Sequence, residues 1–395
     1  MFRASRGIGW LPVFVAIGGL VSSTVVLLAA PLASVPQSSA DAWPATAPLA
    51  STSPAPATRP SANRVPILRL HGTGTELGTQ QGTALRDSIR QLYHQYFTKF
   101  IRTDGERFAA LAGAAIFETE LTPIYRDEVH ALAVATGLDE RQVMLAQCFL
   151  DLTAMTGCST VAVPAGGSPD GVPRMGRNLD FFSFDVADKA TILLAYHPTG
   201  KYAFVSVAWP GMIGVLSGMN EKGLCLANME VKRNPRWPSA LPYTLLYRSI
   251  LEQCATVDQA IALLEKSQRQ TANNLMLIDA QGNRAVAEIT PESVHVRQAP
   301  PTAALVCTNH QRGDDLDTPG RCWRYDLLHD EAKTQFGTIA VQQIKQMLAT
   351  TAQGDMTMQS MIFEPSDRVL YLATGKEATR NPYLRYDLAE ALGSR

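Results

Sequence analysis

The sequence shows no charge bias. Its 395 residues carry 35 Lys and Arg against 36 Asp and Glu, a formal net charge of −1. A nucleic-acid partner calls for a basic excess gathered in one place. Neither a basic run nor an acidic tail occurs, so nucleic acid is excluded as a partner. No repeat period occurs, which argues against a solenoid or propeller. Metal-ligand spacing is missing as well. There are six cysteines (Cys148, Cys158, Cys225, Cys254, Cys307, Cys322) but no C-x-x-C and no H-E-x-x-H. The common zinc patterns are therefore absent, and neither a metal nor an organic cofactor is expected.

Charge is also missing from Gly7 to Ala40. Arg3 and Arg6 precede this stretch, and its apolar heart runs from Ile8 to about Leu32. A basic flank, an apolar run and small residues read as an export signal. The run approaches the ~20 residues needed to span a bilayer. Residues 1–33 are thus read as a signal peptide or signal anchor, with Ser38-Ser39-Ala40 as a small-residue cleavage site. The positive-inside rule puts Arg3 and Arg6 in the cytoplasm and the body outside. The protein is expected to be exported, with membrane contact only through this segment. Residues 34–63 are mostly Pro, Ala, Ser and Thr. Such a composition cannot bury a core and reads as a disordered linker.

The folded part is read as residues 64–395. The chain is 46% hydrophobic, enough for a sizeable core. Residues 76–151 carry apolar side chains at helical spacing, as at Leu85, Ile89, Leu92, Tyr93 and Tyr96. The style changes at Cys158. CSTVAVPA, VPRMGRNLDF, ATILLAYH, YAFVSVAW, MIGVLSG and GLCLANM are short, β-rich and separated by turn residues. Two helices are expected near 243–254 and 257–267, then four strands through CTNH, then helices near 321–332 and 338–350. MIFEPSDRVLYLATG is expected to end the sheet as a hairpin. Runs of strands with grouped helices read as α+β, with helices covering packed antiparallel sheets. The division is a helical segment, 64–157, and a β-rich segment, 158–395, forming one folded unit.

The informative stretch is Gly157-Cys158 with the hairpin that follows. A thiol is a useful nucleophile only as the thiolate, and a free cysteine sits near pKa ~8.5. An internal Cys has no base of its own, whereas a Cys that starts a chain has an α-amine of pKa ~7.7–8.0. Cutting the Gly157–Cys158 bond would supply that base. A glycine there lets the backbone strain and the thiol reach its carbonyl. The turn at Gly166–Gly171 folds MGRNLD beside CSTVAV. Arg177 and Asp180 are three apart and lie on opposite faces of an ideal strand. Both can serve Cys158 only if Asp180 stands at or beyond the strand end.

These residues resemble the N-terminal-nucleophile (Ntn) hydrolases of the choloylglycine hydrolase and acid ceramidase type. The likeness is closer to the acyl-CoA:6-aminopenicillanic acid acyltransferase branch. GTGTELGTQQG (72–82), SGMNEKGLCLANME (217–230), NNLMLIDAQGNRAVAEITP and CTNHQ (307–311) resemble further blocks of that branch, in order. The resemblance implies an αββα sandwich, self-cleavage at Gly157–Cys158, and chemistry on amide bonds. By it Cys158 is the nucleophile, flanked by Arg177 and Asp180. Asn228 would supply the oxyanion donor and Asn309 a second polar contact. Arg324 would match a family arginine, His310 would be structural or substrate-facing, and Phe181 would stand at an acyl pocket.

The expected protein is a self-processing amidohydrolase or acyltransferase whose partners are a small N-acyl amide or acyl donor and its own cleaved helical segment. Two alternatives stay open: a non-catalytic exported binding protein on the same scaffold, and a Cys158/His310 thiol hydrolase without self-cleavage.

Overall fold

A computed structural model describes residues 64–152, 157–231, 240–313 and 322–393. The export signal and linker readings lie outside them. The chain opens with strand β1 (Ile67–Gly72) and helices α1 (Gly74–Leu92), α2 (Thr98–Phe100), α3 (Asp104–Thr119), α4 (Pro123–Thr136) and α5 (Glu140–Leu152). Strands β2 (Gly157–Val163), β3 (Arg174–Asp180), β4 (Ile192–Pro198), β5 (Phe204–Ala208), β6 (Ser217–Asn220) and β7 (Cys225–Glu230) follow. Helices α6 (Tyr243–Gln253) and α7 (Val257–Lys266) lead to β8 (Asn273–Ile278), β9 (Arg284–Ile289), β10 (Val294–Gln298) and β11 (Leu305–Thr308). Helices α8 (Trp323–Thr334) and α9 (Val341–Thr350) precede β12 (Thr357–Glu364), β13 (Val369–Thr374), β14 (Leu384–Asp387) and the short α10 (Leu388–Ala391).

The strands form an eight-stranded sheet, β1-β4-β5-β6-β7-β8-β9-β10, and a six-stranded sheet, β11-β2-β3-β12-β13-β14. The sheets face each other through β2 against β7 and β8, and β11 against β8 and β9. Helices α8 and α9 cover the six-stranded sheet, while α1, α6 and α7 pack on the other. The result is the expected αββα layering. Alternation along β2 sends its residues into two different cores. Cys158 and Ala162 belong to the core between the sheets, whereas Val161 and Val163 pack with Leu328, Ile344 and Leu348 of α8 and α9. Both faces are buried, and the strand's two polar side chains, Ser159 and Thr160, each find a hydrogen-bond partner.

Four expectations need correction. The sheets are not wholly antiparallel, because β1 pairs parallel with β4 (Ile67↔Leu193). The segment before Cys158 is therefore not purely helical. It donates an edge strand, and Gly157 already belongs to β2. MIGVLSG is a strand only from Ser217, within β6. The β12–β13 hairpin does not end its sheet, since β14 adds a further edge strand.

The GTGTELGTQQG block is a packing device. Its helix starts at a Thr73/Glu76 capping box. Gly74, Gly78 and Gly82 lie four residues apart and let α1 approach α4 closely. A Cβ on Gly74 would stand 2.1 Å from the Ile124 carbonyl oxygen, and one on Gly78 2.2 Å from that of Glu128. Gly223 takes a left-handed backbone in the turn between β6 and β7, with φ +81°. All six cysteines are buried and none forms a disulfide. Among the described residues no helix is long and apolar enough to cross a membrane.

Candidate active site

Strand alternation decides which way Cys158 points. It pairs with Leu179 across the β2–β3 hairpin, and Thr160 pairs with Arg177. Residues paired directly across an antiparallel ladder share a face. Cys158, Thr160, Arg177 and Leu179 therefore all face the other sheet. The Arg177 guanidinium, fully buried, reaches three groups there. Nη2 lies 3.5 Å from Cys158 Sγ and donates to the Asn228 carbonyl at 2.9 Å. Nη1 donates to Ser217 Oγ of β6. The thiol thus sits beside a cation fixed from the opposite sheet. Burial pushes the Cys158 thiol above its usual pKa, while the Arg177 charge works against that rise.

The other polar atoms of Cys158 are held separately. Its backbone N–H donates to Asn309 Oδ1 at 2.6 Å, and its carbonyl accepts from Arg324 Nη1 at 2.7 Å. Arg324 Nη2 also donates to Asn309 Oδ1 at 3.1 Å, and Asn309 Nδ2 donates to the Glu230 carbonyl at 2.7 Å. Asn309 follows β11 and Arg324 opens α8. Asn309 and Arg324 thus come together at β2.

Asp180 is the last residue of β3, at the strand end as its placement required. It pairs with Gly157 and so lies on the face opposite Cys158. Its carboxylate accepts from Thr357 Oγ1 at 2.5 Å and Gln353 Nε2 at 2.9 Å, with Arg324 Nη1 at 3.5 Å. The hydrogen bond from the Cys158 N–H goes to Asn309, not to Asp180. The close approach at Gly157 is to a side chain, and no left-handed backbone calls for a glycine there. Gly157 has no positive φ. A Cβ there would stand 2.1 Å from Gln353 Nε2, the partner of Asp180.

Asn228 is buried beside Arg177, and its side-chain Oδ1 has no partner among the described residues. The ring of His310 hydrogen-bonds Cys322. No hydrogen bond joins His310 to Cys158 among the described residues. Burial acts against a Cys322 thiolate, yet the neighbouring polar side chains of His310 and Thr308 and the Arg324 charge bring this thiol down to about 6. By contrast, burial pushes Cys307 up to about 12. Ser217, Gln353, Thr357 and Cys322 were not singled out in the sequence. A lone Ser or Thr in a strand gives no local signal for a contact formed across two sheets.

An apolar chamber with a cavity volume of about 110 Å³ adjoins this cluster. Leu179 and Leu216 line its end near Cys158, and Phe181 lines it farther along β3's exit. Of the three phenylalanines after Asp180, Phe181 alone is among the lining residues. The rest of the wall comes largely from α1, α5 and the Trp209–Met212 loop. Two buried glutamines hold that loop. Gln81 Oε1 accepts from Gly211 N at 2.8 Å, and Gln147 bonds the Gly211 carbonyl and Ile213 N, each at 2.8 Å.

A family described as acyl-coenzyme A:6-aminopenicillanic acid acyl-transferase matches residues 168–378. The match begins after Cys158 and contains Arg177, Asp180, Asn228, Asn309 and Arg324. A relative from Dictyostelium discoideum, protein dcd1B, is 24% identical over 264 residues, 60% of this chain and 52% of its own. The chain spans about half the length of the curated relatives it matches. Among solved structures, a Caenorhabditis elegans N-acylethanolamine-hydrolyzing acid amidase ortholog is similar with a TM-score of 0.43 and 16% identity, over 53% of this chain and 93% of that one. Penicillin V acylase from Agrobacterium tumefaciens has a TM-score of 0.44 and 15% identity, over 59% of this chain and 86% of that one. On the family match, which spans more than half of its length, the chain belongs to the acyl-coenzyme A:6-aminopenicillanic acid acyl-transferase family.

Proposed function

We propose that the protein is a self-processing cysteine amidohydrolase or acyltransferase acting on N-acyl amides. The observation that carries this reading is the separate anchoring of residue 158. Its N–H is on Asn309 at 2.6 Å, its carbonyl is on Arg324 at 2.7 Å, and its Sγ is free to react beside Arg177. Packing alone does not call for three polar devices around one buried cysteine.

In the precursor, Cys158 Sγ attacks the Gly157 carbonyl carbon. The Gly157–Cys158 C–N bond breaks, and the departing nitrogen takes the thiol proton. Water then hydrolyses the Gly157 thioester and leaves a free thiol and a free α-amine on one residue. That amine is a base near working pH. Asn309, already bonded to this nitrogen, orients it. Asp180 and Arg324 hold the strand end around it.

In turnover, the amine takes the thiol proton and Sγ attacks the substrate amide carbonyl. Asn228, buried beside Arg177, stabilises the oxyanion through its side-chain amide N–H. The α-ammonium protonates the leaving nitrogen as the C–N bond breaks. Water releases the acid from Cys158, or a bound amine receives the acyl group. Export through the N-terminal segment belongs to the same proposal. An exported enzyme meets little acyl-CoA, which favours hydrolysis.

Intact mass under denaturing conditions tests the reading. Wild type should give two chains that meet between Gly157 and Cys158, and Cys158→Ala should give one uncut chain without amidase activity. A wild-type chain that is folded and uncut overturns the mechanism and leaves the binding-protein reading.

A further inference from the structure

We infer that the chamber beside Cys158 takes the acyl part of the substrate, and that this acyl group is a plain long hydrocarbon chain measured by the helical segment before the cleavage site. This rests on the amide reading above and names its substrate class.

The chamber's chemistry is the first argument. Its lining contains no Asp, Glu, Lys, Arg or His. Each polar side chain in the wall is already engaged within the protein. Tyr96 Oη donates to the Phe182 carbonyl at 2.7 Å, and Trp209 Nε1 to that of Ala187 at 2.8 Å. Thr244 Oγ1 donates to the Gln147 carbonyl at 3.1 Å, and both ends of the Gln147 amide are bonded to the 211–213 loop. Gln142 Oε1 accepts from Asp139 N at 2.9 Å and its side chain meets the Tyr93 hydroxyl. A hydroxylated or charged acyl group would lose its hydration and find no partner, at a cost of a few kcal/mol per group. A hydrocarbon loses nothing of the kind, and each buried methylene favours binding.

The second argument is size and place. The cavity volume of about 110 Å³ is several times the roughly 10–15 Å³ that one water needs. This exceeds what an acetyl or butanoyl group fills. Leu179 is the direct cross-strand partner of Cys158, and Leu216 accepts the Asn228 N–H at 2.9 Å. A chain entering between them puts its carbonyl at the Cys158 end and its tail toward α1 and α5. More than half of the lining residues lie between Ile89 and Leu150. The segment that self-cleavage would detach in sequence is the one that sets chain length.

The test uses the full chain and a series of N-acyl glycines with acetyl, butanoyl, octanoyl, dodecanoyl and hexadecanoyl groups. kcat/KM should rise by roughly two- to fourfold per added methylene until the chamber is full. Ala146→Phe on α5 and Leu138→Trp before it, both on the wall and away from Cys158, should lower kcat/KM for dodecanoyl at least tenfold. The loss should shrink as the acyl group shortens, and self-cleavage should still occur. In parallel, palmitate binding to the uncut Cys158→Ala protein is read from Trp209 fluorescence, with one site expected that Ala146→Phe removes. Hydrolysis that is flat from acetyl to hexadecanoyl overturns the inference and leaves the amide reading standing. No hydrolysis at any length, with saturable palmitate binding that Ala146→Phe abolishes, keeps the hydrocarbon site and overturns the amide reading. Neither hydrolysis nor palmitate binding overturns both.

Discussion

Two adjoining regions of this protein are built on opposite principles. Around Cys158 nearly every group is polar, buried and bonded to another: Arg177, Asp180, Asn309, Arg324, Ser217, Gln353 and Thr357. Along the same strand, the chamber presents mostly hydrocarbon walls with no charged side chain. The first region comes from residues 157 onward, and the second is mostly from residues before 152. Directional bonds fix one reacting atom among several charges, whereas an apolar wall discriminates by length and shape and only weakly by position. On the proposed function, the difference would put the chemistry on one segment and the selectivity on the other.

The joint between the two regions is where the largest effect is expected. Arg248 on α6 is fully buried and pairs with Glu128 of α4 at 2.8 Å and with Glu252 at 2.8 Å. Burial pushes the Glu128 carboxyl up to about 7, and only the Arg248 charge opposes it. Arg248→Ala should destabilise the protein by about 3–5 kcal/mol, because it leaves two buried carboxyls without their cation. Chemical denaturation of the uncut Cys158→Ala background checks this. A smaller loss than about 1 kcal/mol would show that the pair is not the joint.

Next is Arg177→Met, which removes the cation beside Sγ but keeps a buried apolar stem. Amide turnover should fall about a hundredfold or more, as for a lost charge-stabilising donor. Self-cleavage, followed by intact mass, should slow in parallel, while circular dichroism stays unchanged. Loss of turnover with normal cleavage would separate the two reactions that the shared thiol is proposed to serve.

A pH series sharpens the same point with a smaller effect. The Cys158 thiol is raised in the uncut chain, so neutral pH lies below its pKa. There the thiolate fraction, and with it the self-cleavage rate, should climb about tenfold per pH unit. In the mature enzyme the free amine takes the proton, so turnover should flatten above the amine's own pKa of ~7.7–8.0. The smallest change is expected for Gly157→Ala. Its new Cβ would meet the end of a flexible side chain, Gln353, so the fold should persist and self-cleavage should slow severalfold.

Much of the fold was legible because it is written locally. Period-two apolar runs marked most strands, and the Gly turn after β2 announced the hairpin that sets Arg177 beside Cys158. The edge strand β1 was not legible, since its pairing partner β4 lies far along the chain and the pairing is parallel. Arg324 was suggested only by resemblance, and its contact with the Cys158 carbonyl spans 166 positions. The glycine-rich block looked like a signature, and the structure explains it as close packing of α1 on α4.

By itself the sequence determined the alternation that aims Cys158 between the sheets, the Gly-Cys bond at a strand start, and a balanced charge with no basic run. These follow from nearest-neighbour chemistry and periodicity. Only the tertiary structure decided which distant groups hold residue 158, that Asp180 bonds Gln353 and Thr357, and that the helical segment closes an apolar chamber against Leu179. Those contacts exist because two sheets stack and helices dock on them, and no local spacing encodes a neighbour that the chain meets only after folding.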